Sequence, residues 1–394
     1  NVVGAPDAHV DDPLFGELAK AMIGAAEEDQ AARAANTWTP APSGASSRSA
    51  SAARRTTRNA SRKRSEIGMI QIDGSHGEGG GQVLRTALGL SLVTGQPFKI
   101  ERIRANRKNP GLRNQHLTCV LAAQQVGCAE VEGAELQSEG LTFSPQGVFP
   151  GNYRFSMATA GSTTLVLQTV LPALMCASES SSLILEGGTH NPWAPPFDFL
   201  EKSFLPLLRR MGPDVTLKLE SAGFYPAGGG RMRVGINPSE RLSAVFLEER
   251  GRIRATRGRA LLSRLPDHIA DRELNLLRKR LQIDGKHLTV EHVDSPGPGN
   301  ALLVEIETDQ LTEVFTAFGR VRLPAENVAL QLVREVRAYL KSDAPVGDHL
   351  ADQLLVPMSL AGGGSFVSGP LTTHATTNMD IVRIREAYGT RLAF

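Results

Sequence analysis

The chain has 394 residues, with 43 Lys and Arg against 41 Asp and Glu, so its formal charge is only +2. It is 41% hydrophobic and 21% charged, which is ordinary for a globular protein long enough for more than one domain. No apolar run approaches the roughly 18 residues of a membrane-spanning helix, which excludes a helical integral membrane protein. Three widely spaced cysteines argue against a disulfide scaffold and a cysteine zinc site, and favour a reducing compartment. What remains is a soluble intracellular α/β protein.

The first 66 residues differ in composition from the rest of the chain. Residues 45–65 contain seven basic residues and no acidic one, in a stretch rich in Ser, Ala and Thr. Such a segment cannot bury enough apolar surface to offset its ordering entropy, so we predict a flexible basic tail. A nucleic-acid-binding arm and a nuclear targeting signal are the alternatives. Upstream, Asp12-Pro13 and the apolar stripe from Leu14 predict a capped helix, so 1–66 is expected to be a disordered or loosely helical extension.

From Ile67 onward, strand and helix patterns follow one another in two copies of one unit. In the first copy, these patterns lie at 69–72, 82–93, 98–105 and 115–126, followed by two strand-like runs. In the second copy, they lie at 164–176, 182–186, 197–211, 215–219 and 231–236. Gly79 is 30 residues from Asn109 and Ala160 is 31 residues from Asn191, so the copies keep step. A repeat of about 80 residues is therefore predicted, with each copy forming a sheet backed by two helices.

A third, partial copy begins near Gly347. Its predicted helix, strand and loop lie at 349–360, 365–368 and 372–378. The segment 249–344 separates it from the second copy and has strands and a helix of its own, which predicts a small inserted α/β domain. The repeats would then form one large domain from 67–248 and 345–394.

Three loops occupy equivalent places in the three copies, at 106–111, 189–196 and 372–378. We expect them to converge on one cleft. The alternative, in which the repeats stack with these loops apart, stays open.

The glycine-rich turn from His76 to Gln82 joins a predicted strand to a predicted helix. Glycines permit close backbone approach and helix-start N–H groups attract anions, so the turn is a candidate phosphate site. Glu78 within it would repel phosphates unless a divalent cation bridged the two. The alternative is a tight turn with a solvated Glu78.

The next loop is basic, with Arg104, Arg107, Lys108 and Arg113 around Pro110. Guanidinium groups suit phosphate oxygens, and Arg85 lies one helical turn beyond the glycines. A solvated basic edge is the alternative for this loop.

Two further loops carry histidines. The loop 187–196 has three prolines and is a candidate wall of a base pocket, and we interpret its His190 and Trp193 as structural. His374 lies among hydroxyl residues after a glycine-rich strand, where an imidazole serves as nucleophile, general base or metal ligand at neutral pH. A structural role is the alternative for His374. The other histidines form no HxxxH or HExxH pair, which argues against a zinc enzyme.

Several short sequences occur together and resemble one family, the RNA 3′-terminal phosphate cyclases. They are IDGSHGEGGGQ (72–82), IRANRKNPGL (103–112), QHL (115–117), GGT (187–189), FYPAGGGR (224–231), DQL (352–354) and THATTN (373–378). The resemblance covers about 67–390. One branch of the superfamily consists of ribosome-biogenesis proteins that lack the catalytic histidine. This chain retains it, which favours the enzyme.

The resemblance implies a fold and a reaction. The fold would be α/β (α+β), with three βαβαββ-type repeats in a large domain and a small α/β domain inserted before the last part. The reaction would convert an RNA 3′-phosphate into a 2′,3′-cyclic phosphate at the expense of ATP. It would pass through a covalent histidine–AMP and an RNA–ppA end, with Mg²⁺ or Mn²⁺ as the divalent cation.

Matching positions imply site residues as well. His374 would be the nucleophile, and Glu78 would hold the metal. Contacts to the triphosphate or the RNA end would come from Arg85, Arg104, Arg107, Gln115 and Gln168. Pro195 and His349 would enclose the adenine, with Asp352 and Gln353 nearby. The family has tyrosine where this chain has His349, and it has more chain than the 20 residues that follow His374, so a last strand is expected to be missing.

Three functional hypotheses are thereby ordered. The ATP-dependent cyclase comes first, acting on RNA with a 3′-phosphate in the cytoplasm, or in the nucleus if the source is eukaryotic. A non-catalytic RNA-processing or ribosome-assembly factor on the same scaffold is the alternative. An enolpyruvyl-transferase-like enzyme has no motif of its own here. A membrane partner is not expected, and a homodimer is left open.

Overall fold

A computed structural model of the protein describes residues 2–3, 69–157 and 160–387, with the backbone only for 384–387. Residues 2–3 form a short strand, β1 (Val2–Val3). The predicted N-terminal helix and the basic tail lie outside the described residues, as does the chain after 387. The described part consists of several sheets with helices packed on them, so the predicted mixed α/β class is confirmed. None of its helices is long and apolar enough to cross a bilayer.

The first four-stranded sheet and its helices are formed by β2 (Ile70–Asp73), α1 (Gly81–Thr94), β3 (Phe98–Glu101), α2 (Asn114–Gly127), β4 (Glu130–Glu132) and β5 (Leu141–Ser144). The strand order is β2-β3-β5-β4. Strands β2 and β3 are parallel, and β5 is antiparallel to both β3 and β4. In β2, Ile70 and Ile72 are buried while Gln71 is exposed, because alternate side chains of a strand face opposite sides.

The second four-stranded sheet is formed by β6 (Asn152–Ser156), α3 (Thr163–Leu174), β7 (Ser181–Gly187), α4 (Phe197–Phe199), α5 (Leu205–Arg210), β8 (Asp214–Ser221) and β9 (Gly230–Asn237). A π-helical turn, Leu200–Phe204, joins α4 to α5. The strand order is β6-β7-β9-β8, with β6 parallel to β7 and β9 antiparallel to β7 and β8. Parallel and antiparallel pairs therefore follow one another as in the first sheet.

After the short strand β10 (Phe246–Leu247), a third group of elements is formed by β11 (Ile253–Ser263), α6 (His268–Leu281), a 3-10 turn (Gly285–His287), β12 (Leu288–His292), β13 (Gly299–Thr308), β14 (Thr312–Phe318) and α7 (Ala325–Ser342). Its sheet has the order β12-β11-β13-β14. Leu262, Leu302, Leu332 and other apolar residues of this group form a core of their own, separate from the main core.

The last elements are α8 (Asp348–Ala361), β15 (Ser365–Val367) and α9 (Thr373–Ala387). Strand β15 pairs in parallel with β10, which precedes the third group of elements, and antiparallel with β1. Helix α8 therefore returns the chain to the main core, where Leu350, Leu354 and Leu355 are buried.

Two predicted elements differ from the structure near the loops of interest. The strand predicted over 98–105 ends at Glu101, because Arg102 and Arg104 have φ values of 56° and 57°, which no strand contains. The loop predicted over 372–378 is instead the first part of α9. Thr372 begins this helix, because its hydroxyl oxygen accepts a hydrogen bond from the Ala375 N–H at 3.1 Å.

Candidate active site

The glycine-rich turn between β2 and α1 lies against the start of α9. The Asp73 carboxylate accepts hydrogen bonds from the backbone N–H and the hydroxyl of Ser75, at 2.9 and 2.7 Å. Gly77 has a φ of +58°, and a Cβ there would lie 2.2 Å from the Thr377 hydroxyl oxygen. That same oxygen accepts a hydrogen bond from the Glu78 N–H at 3.0 Å. Glycine at 77 thus permits the turn to approach α9 closely.

His374 is the second residue of α9, and its imidazole faces this turn. Its Nδ1 lies 2.8 Å from Gln82 Oε1 and 3.0 Å from Glu78 Oε2. Both partners are acceptors, so Nδ1 carries the proton and the lone pair lies on Nε2. Burial lowers the pKa of His374 against an opposing effect of Asp352, which favours the neutral imidazole at pH 7. The side chain is 56% exposed, so a neutral nucleophilic nitrogen is accessible.

Gln82 connects His374 to a carboxylate. While its Oε1 accepts from His374, its Nε2 donates to Asp352 Oδ1 at 2.5 Å. The Asn378 side chain donates to the same carboxylate oxygen at 3.2 Å. Burial raises the pKa of Asp352, and the hydrogen bond from Gln82 opposes that rise. The amide of Gln82 is thereby fixed in the orientation that presents its oxygen to the imidazole.

A second branch of hydrogen bonds runs from Asp352 to Arg85. Gln353 Nε2 donates to Asp352 Oδ2 at 3.0 Å, and its Oε1 accepts from Gln168 Nε2 at 2.5 Å. Gln168 Oε1 in turn lies 3.4 Å from Arg85 Nε. These side chains come from α1, α3 and α8, so one polar network links the helices that follow the first strands of three sheets.

The loop after β3 places two arginines in different ways. Arg104 Nη1 donates to the carbonyl oxygens of Asn109 and Gly111, at 2.7 and 2.8 Å, so this guanidinium holds the loop together. Arg107 pairs with the Glu78 carboxylate. Glu78 therefore contacts both Arg107 and His374.

Positive charge is concentrated at the start of α2. Burial, together with four guanidinium groups, lowers the pKa of His116 to about 3. The four groups belong to Arg85, Arg104, Arg113 and Arg107. They and the α2 N-terminus form a strongly positive region suited to an anion, and we call these four residues the arginine cluster.

Gln115 lies at the edge of the arginine cluster and contacts the second sheet. Its Oε1 accepts a hydrogen bond from the Ser162 N–H at 2.9 Å, just before α3. Pro195 is half-buried in the loop between β7 and α4, whereas His349 is exposed in the first turn of α8. The pairing of Pro195 with His349 around a base stays a prediction.

A cavity adjoins the polar network, with an empty space of about 670 Å³ that includes its mouth. This is the usual size range of small-molecule sites. One end is polar, with Gln82, Arg85 and Asp352 among its lining residues. The other is apolar, with Leu171 and Phe204. The network around His374 is thus reachable from an enclosed space.

The structure brings together most of the predicted site residues. His374, Glu78 and Arg107 meet directly, and Arg85, Gln168, Gln353 and Asp352 join them through Gln82. Gln82 and Asn378 are polar residues of this site that sequence reasoning missed. Asn378 lies four residues after His374, so the helical spacing of α9 was the signal that would have found it.

The residues that surround Glu78 also bear on the predicted metal. Among the described residues, no group of three His, Cys, Asp or Glu side chains is arranged to hold an ion. Glu78 alone supplies one carboxylate, with 16% of its side chain exposed. A single carboxylate fits Mg²⁺ that is otherwise ligated by substrate phosphates and water, which is the common arrangement for this ion.

A model of the RNA 3′-terminal phosphate cyclases matches residues 76–385, from the glycine-rich turn to the last described turns of α9. The chain belongs to this family. A protein from Koribacter versatilis named RNA 3′-terminal phosphate cyclase is 54% identical over 319 residues, 81% of this chain and 90% of that protein. Proteins of the same name from Pseudomonas fluorescens and Ralstonia nicotianae are 50% and 49% identical, covering 92% and 90% of their own lengths. The predicted resemblance to the RNA 3′-terminal phosphate cyclases is thereby confirmed.

Proposed function

We propose that this cyclase family member converts an RNA 3′-terminal phosphate into a 2′,3′-cyclic phosphate at the expense of ATP. The observation that carries the proposal is the imidazole of His374, which is held through Nδ1 by Gln82 and Glu78 and is accessible at Nε2. The arginine cluster beside it supplies positive charge where phosphates would bind. A fixed, neutral imidazole is a good nucleophile for relay transfer, because its bond to phosphorus is labile.

In the first proposed step, His374 Nε2 attacks the α-phosphorus of ATP. An N–P bond forms, and the bond from the α-phosphorus to the bridging oxygen breaks, so pyrophosphate leaves with the electron pair. The acceptors at Nδ1 stabilise the positive charge that develops on the ring. The product is a covalent histidine–AMP.

In the second step, an oxygen of the RNA 3′-phosphate attacks the AMP phosphorus, and the N–P electron pair returns to His374. The resulting RNA–ppA end now carries a leaving group, which the phosphate monoester lacked. The neighbouring 2′-hydroxyl then attacks the RNA phosphorus with loss of its proton, and AMP departs. The 2′-hydroxyl makes RNA the substrate of the last step.

The remaining side chains would bind and orient these groups. We propose contacts to the triphosphate or the RNA end from Arg85, Arg104, Arg107, Gln115 and Gln168. Pro195 and His349 would enclose the adenine, with Asp352 and Gln353 holding the network behind it. Glu78 would hold a divalent cation, Mg²⁺ or Mn²⁺, which would neutralise phosphate charge when bound.

The same proposal extends to the architecture and location. We infer that the first two sheets are repeats of one βαβαββ unit, because their strand orders and pairing senses agree. The elements β10, α8, β15 and α9 would be a third copy in a large domain of 67–248 and 345–394. The segment 249–344 would be an inserted small domain, which its separate core supports. A cytoplasmic location accords with the bacterial sources of the relatives.

Incubation with ATP labelled at the α-phosphorus tests the chemistry. We expect an acid-labile protein–AMP adduct that forms with Mg²⁺ or Mn²⁺ and disappears when RNA with a 3′-phosphate is added. The RNA should then carry a 2′,3′-cyclic end. If no adduct forms with any divalent cation, the enzyme proposal is wrong, and a non-catalytic RNA-processing or ribosome-assembly factor takes its place.

Substitution of the proposed metal ligand tests a second part. Because Glu78→Ala removes the carboxylate without opening the core, adduct formation should fall about a hundredfold while thermal unfolding changes little. The measurement is the rate of labelling over a range of Mn²⁺ concentrations. Undiminished labelling in folded Glu78→Ala protein would reject the metal role.

A further inference from the structure

Two exposed aromatic rings form a pair on the loops that follow β7 and β8. Trp193 is 71% exposed and Tyr225 is 52% exposed. Their ring centroids are 4.9 Å apart, and the ring planes are nearly perpendicular. Large aromatic side chains contribute most when they are buried or bound, so a paired and exposed Trp and Tyr mark a binding surface. We call Trp193 and Tyr225 the aromatic pair.

Both loops that carry the aromatic pair are held in place. The Asn191 side chain accepts a hydrogen bond from the Trp193 N–H at 3.0 Å and donates to the Ala160 carbonyl at 3.1 Å. On the other loop, the buried Phe224 next to Tyr225 stacks on the His190 ring at 5.1 Å. The rings are therefore presented on fixed backbone, and binding to them would cost little ordering entropy.

A short series of contacts leads from the aromatic pair to the arginine cluster. Asn191 bonds to Ala160, and Ser162, two residues further on, is bonded through its N–H to Gln115. Gln115 lies in the first turn of α2, where the four guanidinium groups converge. A flat, uncharged surface and a positive region thus lie in sequence along one edge of the site.

We propose that Trp193 and Tyr225 form a stacking site for a nucleobase of the RNA strand near its 3′ end. This inference rests on the proposed function. With the terminal phosphate at the arginine cluster, the strand would leave the site past Gln115, and a base would stack on an aromatic face. Every nucleobase has a π-face, so the contact would tolerate different sequences.

Intrinsic fluorescence gives a direct test, because the chain has only two tryptophans, Trp38 and Trp193. In a Trp38→Phe variant, all tryptophan emission comes from Trp193. A short single-stranded oligoadenylate with a 3′-phosphate, added without ATP, should quench this emission in a saturable way. Tyr225→Ala in the same background should weaken that binding by about tenfold, the usual worth of one stacked base. If saturating RNA leaves the emission unchanged, the proposal is wrong.

Steady-state kinetics of cyclisation give a second, independent test. Trp193→Ala should raise the KM for RNA by about tenfold with little change in kcat, and Trp193→Phe should recover most of that loss because a ring is kept. Phe149→Ala is the matched control, since Phe149 is 48% exposed and bonds to Val126 at the opposite end of α2. The control should leave the KM unchanged.

Adduct formation without RNA separates this inference from the proposed function. A normal adduct together with an unchanged KM in Trp193→Ala would overturn the stacking site and leave the cyclase proposal intact. A lost adduct in Trp193→Ala would show that the aromatic pair serves the nucleotide, and would also overturn it. So would a change of oligomeric state in sedimentation with RNA affinity unaltered, because the pair would then be a protein interface.

Discussion

Two histidines of this protein occupy comparable loops, each between a strand and the helix that follows it, yet their surroundings differ. His190 is fully buried, with Nε2 2.9 Å from Asp198 Oδ2 and Nδ1 2.9 Å from the Thr189 hydroxyl. His374 is more than half exposed and contacts acceptors through Nδ1. Burial and the use of both ring nitrogens make His190 structural, whereas an accessible Nε2 makes His374 suitable for chemistry.

The partners of the two imidazoles extend this difference. Asp198 also pairs with Arg259 from β11, so His190 belongs to a buried charge network that joins the loop after β7 to the third group of elements. Burial raises the pKa of Asp198, but His190 and Arg259 outweigh it and lower the pKa to about 2. His374 is instead connected through the neutral Gln82 amide to Asp352. Charge beside His190 thus stabilises the fold, and a neutral partner beside His374 preserves a nucleophile.

The largest expected effect separates the two histidines by exchange of one for alanine. His374→Ala should reduce formation of the AMP adduct by at least a factor of about a thousand, because no other group replaces the nucleophile. Its free energy of unfolding should change by less than about 1 kcal/mol, since the side chain is more than half exposed. The measurements are adduct labelling and urea unfolding. A labelled His374→Ala protein would contradict the assigned nucleophile.

The structural network should show the reverse pattern in stability. Asp198→Ala leaves His190 and Arg259 without their shared partner, and should lower the free energy of unfolding by about 3 kcal/mol in urea. The control is Glu326→Ala, which removes an exposed pair with Arg272 and should cost less than about 1 kcal/mol.

The low pKa of Asp198 adds a dependence on pH to that contrast. The contribution of Asp198 should be complete above its ordinary pKa of 3.8 and disappear as the pH falls toward about 2. Equal losses of stability in Asp198→Ala and Glu326→Ala would contradict the network's role.

The sequence predicted the parts of the site that depend on local chemistry. The turn around Glu78, the basic loop with Arg104 and Arg107, and His374 all lie within short, unusual motifs. Glycine, arginine and histidine have few other reasons to cluster there, so the motifs identified the site residues that the structure brings together.

Longer-range features were beyond sequence reasoning. The contact of Gln82 with His374 spans 292 residues, and no local pattern reports such a pairing. The start of α9 was predicted to be a loop because β-branched threonines are poor helix formers. The Thr372 cap and packing on α1 outweigh that propensity. The buried pair of Asp198 and Arg259 was missed because hydrophobic periodicity carries no information about buried charge.

A smaller effect is expected at the residue that orients His374. Gln82→Ala removes the acceptor at Nδ1 and breaks the link to Asp352, so the imidazole loses its fixed orientation and tautomer. The rate of adduct formation should fall about tenfold to a hundredfold, as is common for groups that orient a functional imidazole. Thr94→Ala is a suitable control on the same helix, since Thr94 bonds only locally to Leu90 among the contacts described. A rate equal to wild type in Gln82→Ala would make Gln82 a bystander.

The finest distinction between the two histidine environments is the charge of the partner, and pH measures it. Burial lowers the pKa of His374, so the rate of adduct formation should be constant above pH 6.5 and decline only at lower pH, where the imidazole becomes protonated. Gln82→Glu places a carboxylate at Nδ1, as Asp198 lies at Nε2 of His190. A negative neighbour favours the imidazolium, so the midpoint of the decline should move upward by about one pH unit. Single-turnover labelling across pH 5–8 measures it. An unshifted midpoint in Gln82→Glu would mean that the partner at Nδ1 does not control the protonation of His374, and the contrast with His190 would then rest on burial alone.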